Sequence, residues 1–282
     1  MQRDLPKITI GIPVFNEADK IRECITSIKV QEYQNFKVII SDNNSDDETA
    51  DVCTDLIKGD DRFHFVKHPR NLGAIRNFGY VFDVSDTEFF MWLGSHDSIS
   101  SDYLSRLIGL LEQNPEASMA FGRAAMVYSD GSVSDNSSSC RYQFNSNRMD
   151  RYLQSVAKLS DCTIVHSVFR RRFLDSFEFR QVISIDHVIL STLLWHGPIL
   201  YDEAATYFRR RQVGRDNEAL QSRMKRITGL DESPNFYNFS LCYLDSFERL
   251  YQGDARIRQA IVNNMIRILS ERFGQTVVQP KE

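Results

Sequence analysis

The first 93 residues alternate between short apolar runs and stretches with helical spacing, and this alternation constrains the fold more than any other feature. Between the first two runs, apolar residues recur at Ile21, Cys24, Ile25 and Ile28, as on one face of a helix. Alternating strands and helices predict an α/β fold with a mostly parallel sheet and helices on both faces. The four runs, each typical of a buried strand, are KITIGIPVFN, FKVIISD, RFHFVKHP and TEFFMWL.

Polar residues follow each predicted strand. Asn16 and Glu17 follow the first run, Asp42 ends the second, Asn71 lies just beyond the third, and Asp97 lies beyond the fourth. In a parallel sheet, ligands bind at the carboxyl ends of the strands, where the strand order reverses. Four separate segments are therefore predicted to deliver polar side chains to one edge.

Composition excludes several function classes. The 282 residues, 42% of them hydrophobic, suit one good-sized domain with a modest appendage. A net charge of -4 gives no positive field to hold nucleic acid. Five cysteines, with no CxxC pair and no secretory leader, favour a reducing cytoplasm. No apolar run approaches the roughly 20 residues that cross a bilayer, so we expect a soluble or peripheral chain; nothing indicates an oligomeric state.

The second half of the chain is less regular. A helix from Ser101 precedes a strand in ASMAFGRAAMVYSDG, and the Ser- and Asn-rich residues 131–147 predict a mobile loop. CTIVHSVFRRRFL predicts a strand and then a helix, and IDHVILSTLLWHG a compact apolar helix that Gly197 and Pro198 end. From about residue 212 the pattern is helical, and Ile257, Ile261 and Met265 mark one stripe of the last helix.

Residues 7 to about 130 resemble the family 2 glycosyltransferases, and the resemblance is looser to about residue 212. It extends through NLGAIRNFG and FFMWLGSHDSISSDYLSRL. It implies an inverting enzyme of the GT-A fold that uses a nucleotide-sugar donor. We expect a GT-A domain over 1–211, with a nucleotide-sugar half at about 1–100 and an acceptor half at about 101–211, and a C-terminal helical extension over 212–282. The matching positions in the opening segment are Pro13, Asn16, Glu17, Ser27, Gln31, Phe36, Asp42, Asn44, Ser45 and Thr49.

The resemblance implies that the ends of the first two strands bind the donor. Asp42 is expected to contact the base or the ribose, and Glu17 to do the same beside a stacking ring at Phe15. Pro13 and Asn16 belong to the same stretch. Two simpler interpretations stay open: Asp42 caps the turn that follows it, and Glu17 is a first-turn carboxylate favoured by the helix dipole.

Basic residues are expected near the diphosphate of the donor. The resemblance places Arg76 there, in the loop and helix that begin at Asn71, and a bidentate, permanently charged donor suits that task. Arg209 or Arg211 could also reach the diphosphate from a later segment. The alternative for each arginine is a solvated surface cation.

The segment Ser95-His96-Asp97 stands where the family carries several aspartates, the last of which binds a divalent metal. Only Asp97 is a carboxylate here, so it is the expected ligand for Mn²⁺ or Mg²⁺. His96 would shift the preference toward manganese or a softer metal, or would hydrogen-bond the ribose. A plain turn is the alternative. A hydrolase triad is excluded because three consecutive residues cannot line up nucleophile, base and orienting group.

Asp186 aligns with the family's usual catalytic aspartate and is expected to act as general base toward the acceptor hydroxyl. The alternative role is a helix cap. Together these residues predict transfer of a sugar to a glycan or lipid-linked acceptor. The expected setting is bacterial surface polysaccharide or glycolipid synthesis at the cytoplasmic side. Peripheral membrane contact through the basic tail is a less favoured alternative to packing of its apolar stripe against the core. A non-catalytic sugar-nucleotide or glycan-binding module stays open. A sugar nucleotidyltransferase of similar architecture is the other alternative, although GIPVFNE lacks the Gly-rich phosphate loop typical of that class.

Overall fold

The computed structural model describes residues 5–211, residue 222 and residues 236–273. Two 3-10 turns cover Thr163–His166 and Arg171–Leu174. The strands are β1 (Ile8–Val14), β2 (Phe36–Asp42), β3 (Phe63–Lys67), β4 (Phe89–Trp92), β5 (Ser98–Ile99), β6 (Met119–Val127), β7 (Val133–Asp135), β8 (Val168–Arg170) and β9 (Ile199–Arg210). The helices are α1 (Ile21–Lys29), α2 (Thr49–Ile57), α3 (Ala74–Asp83), α4 (Tyr103–Gln113), α5 (Ser137–Cys140), α6 (Arg148–Lys158), α7 (Ile185–His196), α8 (Phe236–Leu250) and α9 (Ala255–Phe273).

One mixed sheet contains all the strands of the described residues, in the order β3-β2-β1-β4-β8-β6-β9-β5, with β7 beside β6. Strands β1 to β4 are mutually parallel, and β6 and β9 are parallel to each other. Only the short β5, β7 and β8 run the other way. The predicted α/β class with a mostly parallel sheet is confirmed.

The order of the first four strands creates a switch point between β1 and β4. The chain moves outward from β1 to β2 to β3 and then returns to the other side of β1. Right-handed crossovers therefore put α1 and α2 on one face and α3 on the other. Ligands bind at the carboxyl edge of such a switch point, which is where β1 ends and the segment after β4 begins.

Strand β1 is the centre of this arrangement, and all seven of its residues are buried. A Cβ on Gly11 would lie 2.7 Å from Val81 of α3, so a glycine is needed for this close approach of helix and sheet. Pro13 lies inside β1, although proline has no backbone N–H and is uncommon within a central strand. It is tolerated because β4 pairs only with Ile8 to Gly11, so Pro13 faces no β4 partner that would need its missing N–H.

Several predictions for the second half need correction. Residues 131–147 contain β7 and α5 as well as loop, because β7 completes a hairpin with β6. The helix predicted after β8 is a single 3-10 turn. In α9, Ile261 and Met265 are buried as predicted, but Ile257 is 55% exposed, since it lies one turn before the helix reaches its partners.

Two hydrophobic cores meet at α7. The larger one lies around the sheet and includes Ile189 and Leu190 of α7. The smaller one joins α6, α7, α8 and α9, and takes Val188 and Trp195 from the other side of α7. A helix that is apolar on every side is buried on every side. Burial between the two cores therefore explains why the sequence of α7 is almost entirely apolar.

The expected boundary between a 1–211 domain and a 212–282 extension falls at residues outside the described part of the chain. Within the described part, α8 and α9 pack on α6 and α7. No helix there combines the length and apolar character needed to span a bilayer.

Candidate active site

The loops after β1 and β2 are tied together by side-chain hydrogen bonds. Asn16 donates to Asp46 at 2.6 Å and accepts the Asp46 backbone N–H at 3.1 Å. The Asn16 N–H donates to Ser45 Oγ at 3.0 Å. Pro13 is buried just below this junction, and Phe15 is half-buried beside it. These contacts bring the first two polar strand ends together.

Asp42 ends β2 and is fully buried. Its Oδ1 accepts the N–H of Ser45 at 2.9 Å, so the capping role is present. Its Oδ2 is buried without a hydrogen-bond partner among the described residues, and the nearest cation, Lys67 Nζ, lies 3.8 Å away. A buried carboxylate oxygen without a donor is costly, so this atom can accept a hydrogen bond from a ligand.

Glu17 is also buried, 3% exposed, and it links the end of β1 to the segment after β4. Its carboxylate lies 2.9 Å from Lys20 Nζ and 3.5 Å from His96 Nδ1. Burial alone would raise the pKa of Glu17, but the contacts with His96 and Lys20 outweigh it and lower the pKa to about 2. Glu17 is therefore a permanent anion at this edge.

Asp97 is held by strand β9. Tyr207 donates its hydroxyl to Asp97 Oδ2 at 2.6 Å, and the backbone N–H of Arg210 donates to Oδ1 at 2.8 Å. The antiparallel pairing of β5 with β9 brings these donors over the carboxylate. A Cβ on Gly94 would lie 2.5 Å from Asp97 Oδ2, so the turn needs its glycine. Asp97 thus sits at the edge with its orientation fixed.

His96 lies between the two carboxylates, and Ser95 is buried next to it. His96 Nε2 is 3.8 Å from Asp97 Oδ1, while Nδ1 faces Glu17. Residues 95–97 form a turn, which was the alternative to a metal site in the sequence analysis. This turn nevertheless carries polar groups of the site. The geometry brings Glu17, His96 and Asp97 together.

Two residues of this edge, His166 and Tyr207, were not predicted from the sequence. His166, at the end of a 3-10 turn, stacks on the Tyr207 ring with centroids 5.0 Å apart and an interplanar angle of 12°. Its Nδ1 lies 3.0 Å from the Trp92 carbonyl oxygen. Burial lowers the pKa of His166, although the charge of Asp97 acts in the opposite direction. Tyr207 holds Asp97 and His166 packs on Tyr207; both residues are distant from Asp97 in the sequence, so only the folded chain brings them there.

The arginines after β9 differ in their surroundings. Arg209 Nη1 donates to Thr163 Oγ1 at 2.8 Å and lies 3.5 Å from Asp161 Oδ1, which holds it against the turn that ends at His166. Arg211 is exposed and lies over the ring of Tyr128 at 6.0 Å. The structure therefore brings Arg209 closer than Arg211 to the Asp97 surroundings.

Asn71 and Arg76 flank the start of α3. Asn71 braces its loop by accepting from Asn43 at 2.9 Å and from the Gly73 N–H at 2.8 Å. Arg76 is exposed and lines a cleft of about 470 Å³ between α3 and residues 177–180. Residues 177–180 precede in sequence the helix α7, which carries Asp186.

Asp186 is half-buried in the first turn of α7, where the helix dipole favours a carboxylate. Its Oδ1 accepts the N–H of His187 at 3.1 Å, so it also acts as a local cap. The Cys162 thiol contacts the Asp186 carboxylate, and burial followed by this contact raises the pKa of Cys162. Because residues 163–166 follow Cys162 directly, one short segment connects the surroundings of Asp186 with those of Asp97.

Left-handed backbone marks three places at this site. The non-glycine residues with positive φ in the described part of the chain are Asn16 at 52°, Asn44 at 64° and Ser184 at 56°. They lie beside Glu17, Asp42 and Asp186 respectively. Such conformations are uncommon outside glycine and concentrate at functional sites.

Two sets of side chains could hold a metal. Asp97 is the one carboxylate of its turn, and a magnesium-type ion needs only one or two carboxylates when substrate phosphates supply further ligands. Each Asp97 oxygen keeps a lone pair beyond its hydrogen bond, so the residue fits that role. The second set is Cys162, Asp186 and His187, whose ligand atoms lie within 4.8 Å of one another. Sulfur and imidazole suit zinc better than magnesium.

The fold and this polar edge define an α/β protein with its ligand site at the carboxyl ends of the strands. A family model described as glycosyl transferase family 2 matches residues 9–177, more than half of the chain. The chain therefore belongs to glycosyl transferase family 2, and it is a glycosyltransferase.

Two glycosyltransferases are similar in sequence to this protein over most of its length. A Campylobacter jejuni protein described as GalNAc(5)-diNAcBac-PP-undecaprenol beta-1,3-glucosyltransferase is 26% identical over 242 residues, which are 86% of this chain and 73% of that protein. An uncharacterized glycosyltransferase of Rickettsia typhi is 25% identical over 250 residues, 88% of this chain and 71% of its own length.

Solved structures confirm the GT-A fold. S. aureus TarS 1-349 in complex with UDP-GlcNAc matches with a TM-score of 0.67 at 13% identity, covering 96% of this chain and 73% of that chain. The complex of the same protein with UDP gives 0.64, covering 96% and 72%. At this identity the likeness concerns the fold alone.

Proposed function

We propose that this protein is an inverting glycosyltransferase that moves a sugar from a nucleotide-sugar donor to a glycan or lipid-linked acceptor. The observation that carries the proposal is the unpartnered, buried Oδ2 of Asp42 at the carboxyl edge of the sheet. A buried acceptor without a donor favours a ligand that brings an N–H or O–H group, as a nucleobase or ribose does.

The donor nucleotide lies over the ends of β1 and β2. Asp42 accepts a hydrogen bond from the base or the ribose, Phe15 offers a half-buried ring for stacking, and Pro13, Asn16 and Glu17 shape the loop between them. We infer a uridine nucleotide, because the TarS neighbour is described with UDP and with UDP-GlcNAc. Asn71 holds the adjoining loop in place.

The diphosphate lies near the segment Ser95-His96-Asp97. A divalent cation bound at Asp97, Mn²⁺ or Mg²⁺, would neutralise charge on the leaving diphosphate. Asp97 is oriented for it by Tyr207 and Arg210. Arg209 and Arg76 add positive charge from two sides, with Arg211 farther out.

Asp186 removes the proton of the acceptor hydroxyl. As that oxygen attacks the anomeric carbon, the bond from this carbon to the diphosphate oxygen breaks, the configuration inverts, and the nucleoside diphosphate leaves. Asp186 lies on the acceptor half, at the start of α7, whereas the donor groups from Pro13 to Asp97 lie on the other half, and only Arg209 and Arg211 come from the acceptor half. This separation matches a base that acts from the opposite side of the sugar.

One relative supports the proposed acceptor class. The C. jejuni protein is described as acting on an undecaprenol-linked glycan, so we infer a lipid-linked or glycan acceptor in bacterial surface polysaccharide or glycolipid synthesis. Reduced cysteines at all five positions are in keeping with a reaction on the cytoplasmic side, at the inner face of the membrane. We assign residues 1–211 to the catalytic domain and 212–282 to a helical extension.

The proposal is tested by thermal stabilisation with UDP, GDP, dTDP and CMP, each with and without Mn²⁺ or Mg²⁺. A ligand that binds the folded state raises Tm by mass action. We expect a selective shift with UDP that is larger with metal and loses its metal dependence in Asp97→Ala. No shift with any nucleotide contradicts the proposal. A shift without turnover on any acceptor would favour a binding module.

A further inference from the structure

The polar strand ends that carry Glu17, Asp42 and Asp97 are called the donor edge below. His166 lies at this edge, but the proposed chemistry gives it no role. Its Nδ1 is 3.0 Å from the carbonyl oxygen of Trp92, the last residue of β4. A carbonyl can only accept, so Nδ1 carries the hydrogen and Nε2 holds a lone pair. Within the described residues, Nε2 has no hydrogen-bond partner.

This arrangement is the one that metal-binding histidines adopt. Such a histidine donates its other ring N–H to a carbonyl or a carboxylate, which fixes the tautomer and the ring orientation. The stack on Tyr207 fixes the ring plane as well. Tyr207 in turn donates its hydroxyl to Asp97, so one buried side chain contacts both the imidazole of His166 and the carboxylate of Asp97.

The other histidines are placed differently. Nε2 of His68 is engaged with Ser41 at 2.9 Å. His96 sits between two carboxylates, with Nδ1 facing Glu17 at 3.5 Å, and that contact competes with a cation. His187 belongs to the Asp186 surroundings. Among the histidines at the donor edge, His166 alone combines a carbonyl-bound Nδ1 with an unused Nε2.

We propose that His166 is a second protein ligand of the divalent cation at Asp97, through Nε2, at a turn in which Asp97 is the one carboxylate. The inference rests on the proposed function, since the diphosphate is needed to complete the coordination. An imidazole ligand favours Mn²⁺ over Mg²⁺, because Mg²⁺ prefers oxygen. The site should therefore select Mn²⁺.

The experiment is a Mn²⁺ titration of the full chain with UDP, followed by pulsed EPR for nitrogen bound directly to Mn²⁺. His166→Asn keeps a donor toward the Trp92 carbonyl but removes the lone-pair nitrogen. His64→Asn removes an exposed histidine of β3 and serves as the matched control. His96→Asn tests the competing imidazole, and the Tm of each variant reports that it folds.

We expect a nitrogen signal in the wild-type protein that His64→Asn and His96→Asn keep and His166→Asn loses, with Mn²⁺ binding at least about tenfold weaker and the preference over Mg²⁺ reduced. A signal that survives His166→Asn, one that His96→Asn abolishes, or no nitrogen signal at all overturns the inference. If UDP still raises Tm in these cases, the proposed function stands. If UDP does not bind at all, both fail.

Discussion

The donor edge and the surroundings of Asp186 are built in different ways. At the donor edge, polar side chains of neighbouring loops hold each other, as Asn16 holds Asp46 and Ser45 holds Asp42. Around Asp186, position comes from contacts with distant helices: the ring of His187 packs against Phe239 with ring centroids 6.0 Å apart, and the Tyr243 hydroxyl is hydrogen-bonded to Ser191 Oγ at 3.2 Å.

In the proposed function, this structural difference also separates nucleotide binding from catalysis. The donor edge is built from the first βα units, with β9 holding Asp97, and none of the contacts described for it involves α8 or α9. The first turn of α7 needs those helices, since they cover its outer face in the second core. We therefore expect changes on the Asp186 side to lower turnover while nucleotide binding persists.

The largest expected effect is that of Asp186→Asn. Loss of a positioned general base lowers kcat by about 10²- to 10⁴-fold. The Tm shift produced by UDP should stay as in the wild-type protein, because the role proposed for Asp186 is toward the acceptor. The matched control is Asp150→Asn, which changes an exposed aspartate in the first turn of α6 and should leave turnover unchanged. Equal turnover in the two variants would remove Asp186 from the role of base.

Phe239→Ala tests whether the second core positions Asp186. Truncating this fully buried ring should lower the free energy of unfolding by about 3–5 kcal/mol. Turnover should fall, since His187 loses the ring it packs against, while the UDP-induced shift persists. Stability is measured by urea unfolding, and activity is assayed well below the Tm of the variant.

Phe36→Ala provides the control on the donor side of the molecule. Phe36 is 2% exposed and packs edge-on against Phe63 at the amino end of β2, away from the carboxyl edge. A similar loss of stability with normal turnover is expected. If both variants lose turnover equally, the effect of Phe239 is general destabilisation and the contrast between the two regions does not hold.

Glu17 makes the donor edge sensitive to acid. Its pKa is lowered from 4.5 to about 2 in the folded protein, so its stabilising effect is complete above pH 4.5 and is lost as the pH falls through 2. The shift corresponds to about 3 kcal/mol. Urea unfolding between pH 5 and pH 2 should show a steep loss of stability in the wild-type protein and a flatter one in Glu17→Gln. The exposed Glu48→Gln should follow the wild-type protein; identical curves for all three would contradict the argument.

The same contrast explains what the sequence could predict. The strands of the first half and the polar groups at their ends follow from local apolar runs and from the loops directly after them, so Asp42, Glu17 and Asp97 could be found. Tyr207 reaches Asp97 across 110 residues, and His166 reaches Trp92 across 74. No local pattern marks such contacts. The second core around Asp186 likewise depends on helices that lie 50 to 90 residues further along the chain.

The smallest expected effect distinguishes two buried tyrosines at the donor edge. Tyr207→Phe removes the donor to Asp97 Oδ2 and leaves a buried charged acceptor with one partner fewer, which should cost about 1–3 kcal/mol. Tyr103 lies 6.4 Å away between ring centroids, and its buried hydroxyl lacks a well-formed hydrogen bond within the described residues. Tyr103→Phe should therefore be neutral or stabilising, because it removes an unsatisfied polar group without creating another. Urea unfolding of the two variants compares the same chemical change in neighbouring places. Equal losses would mean that the Tyr207 hydroxyl does not hold Asp97 and that this contact does not distinguish the donor edge from the Asp186 side.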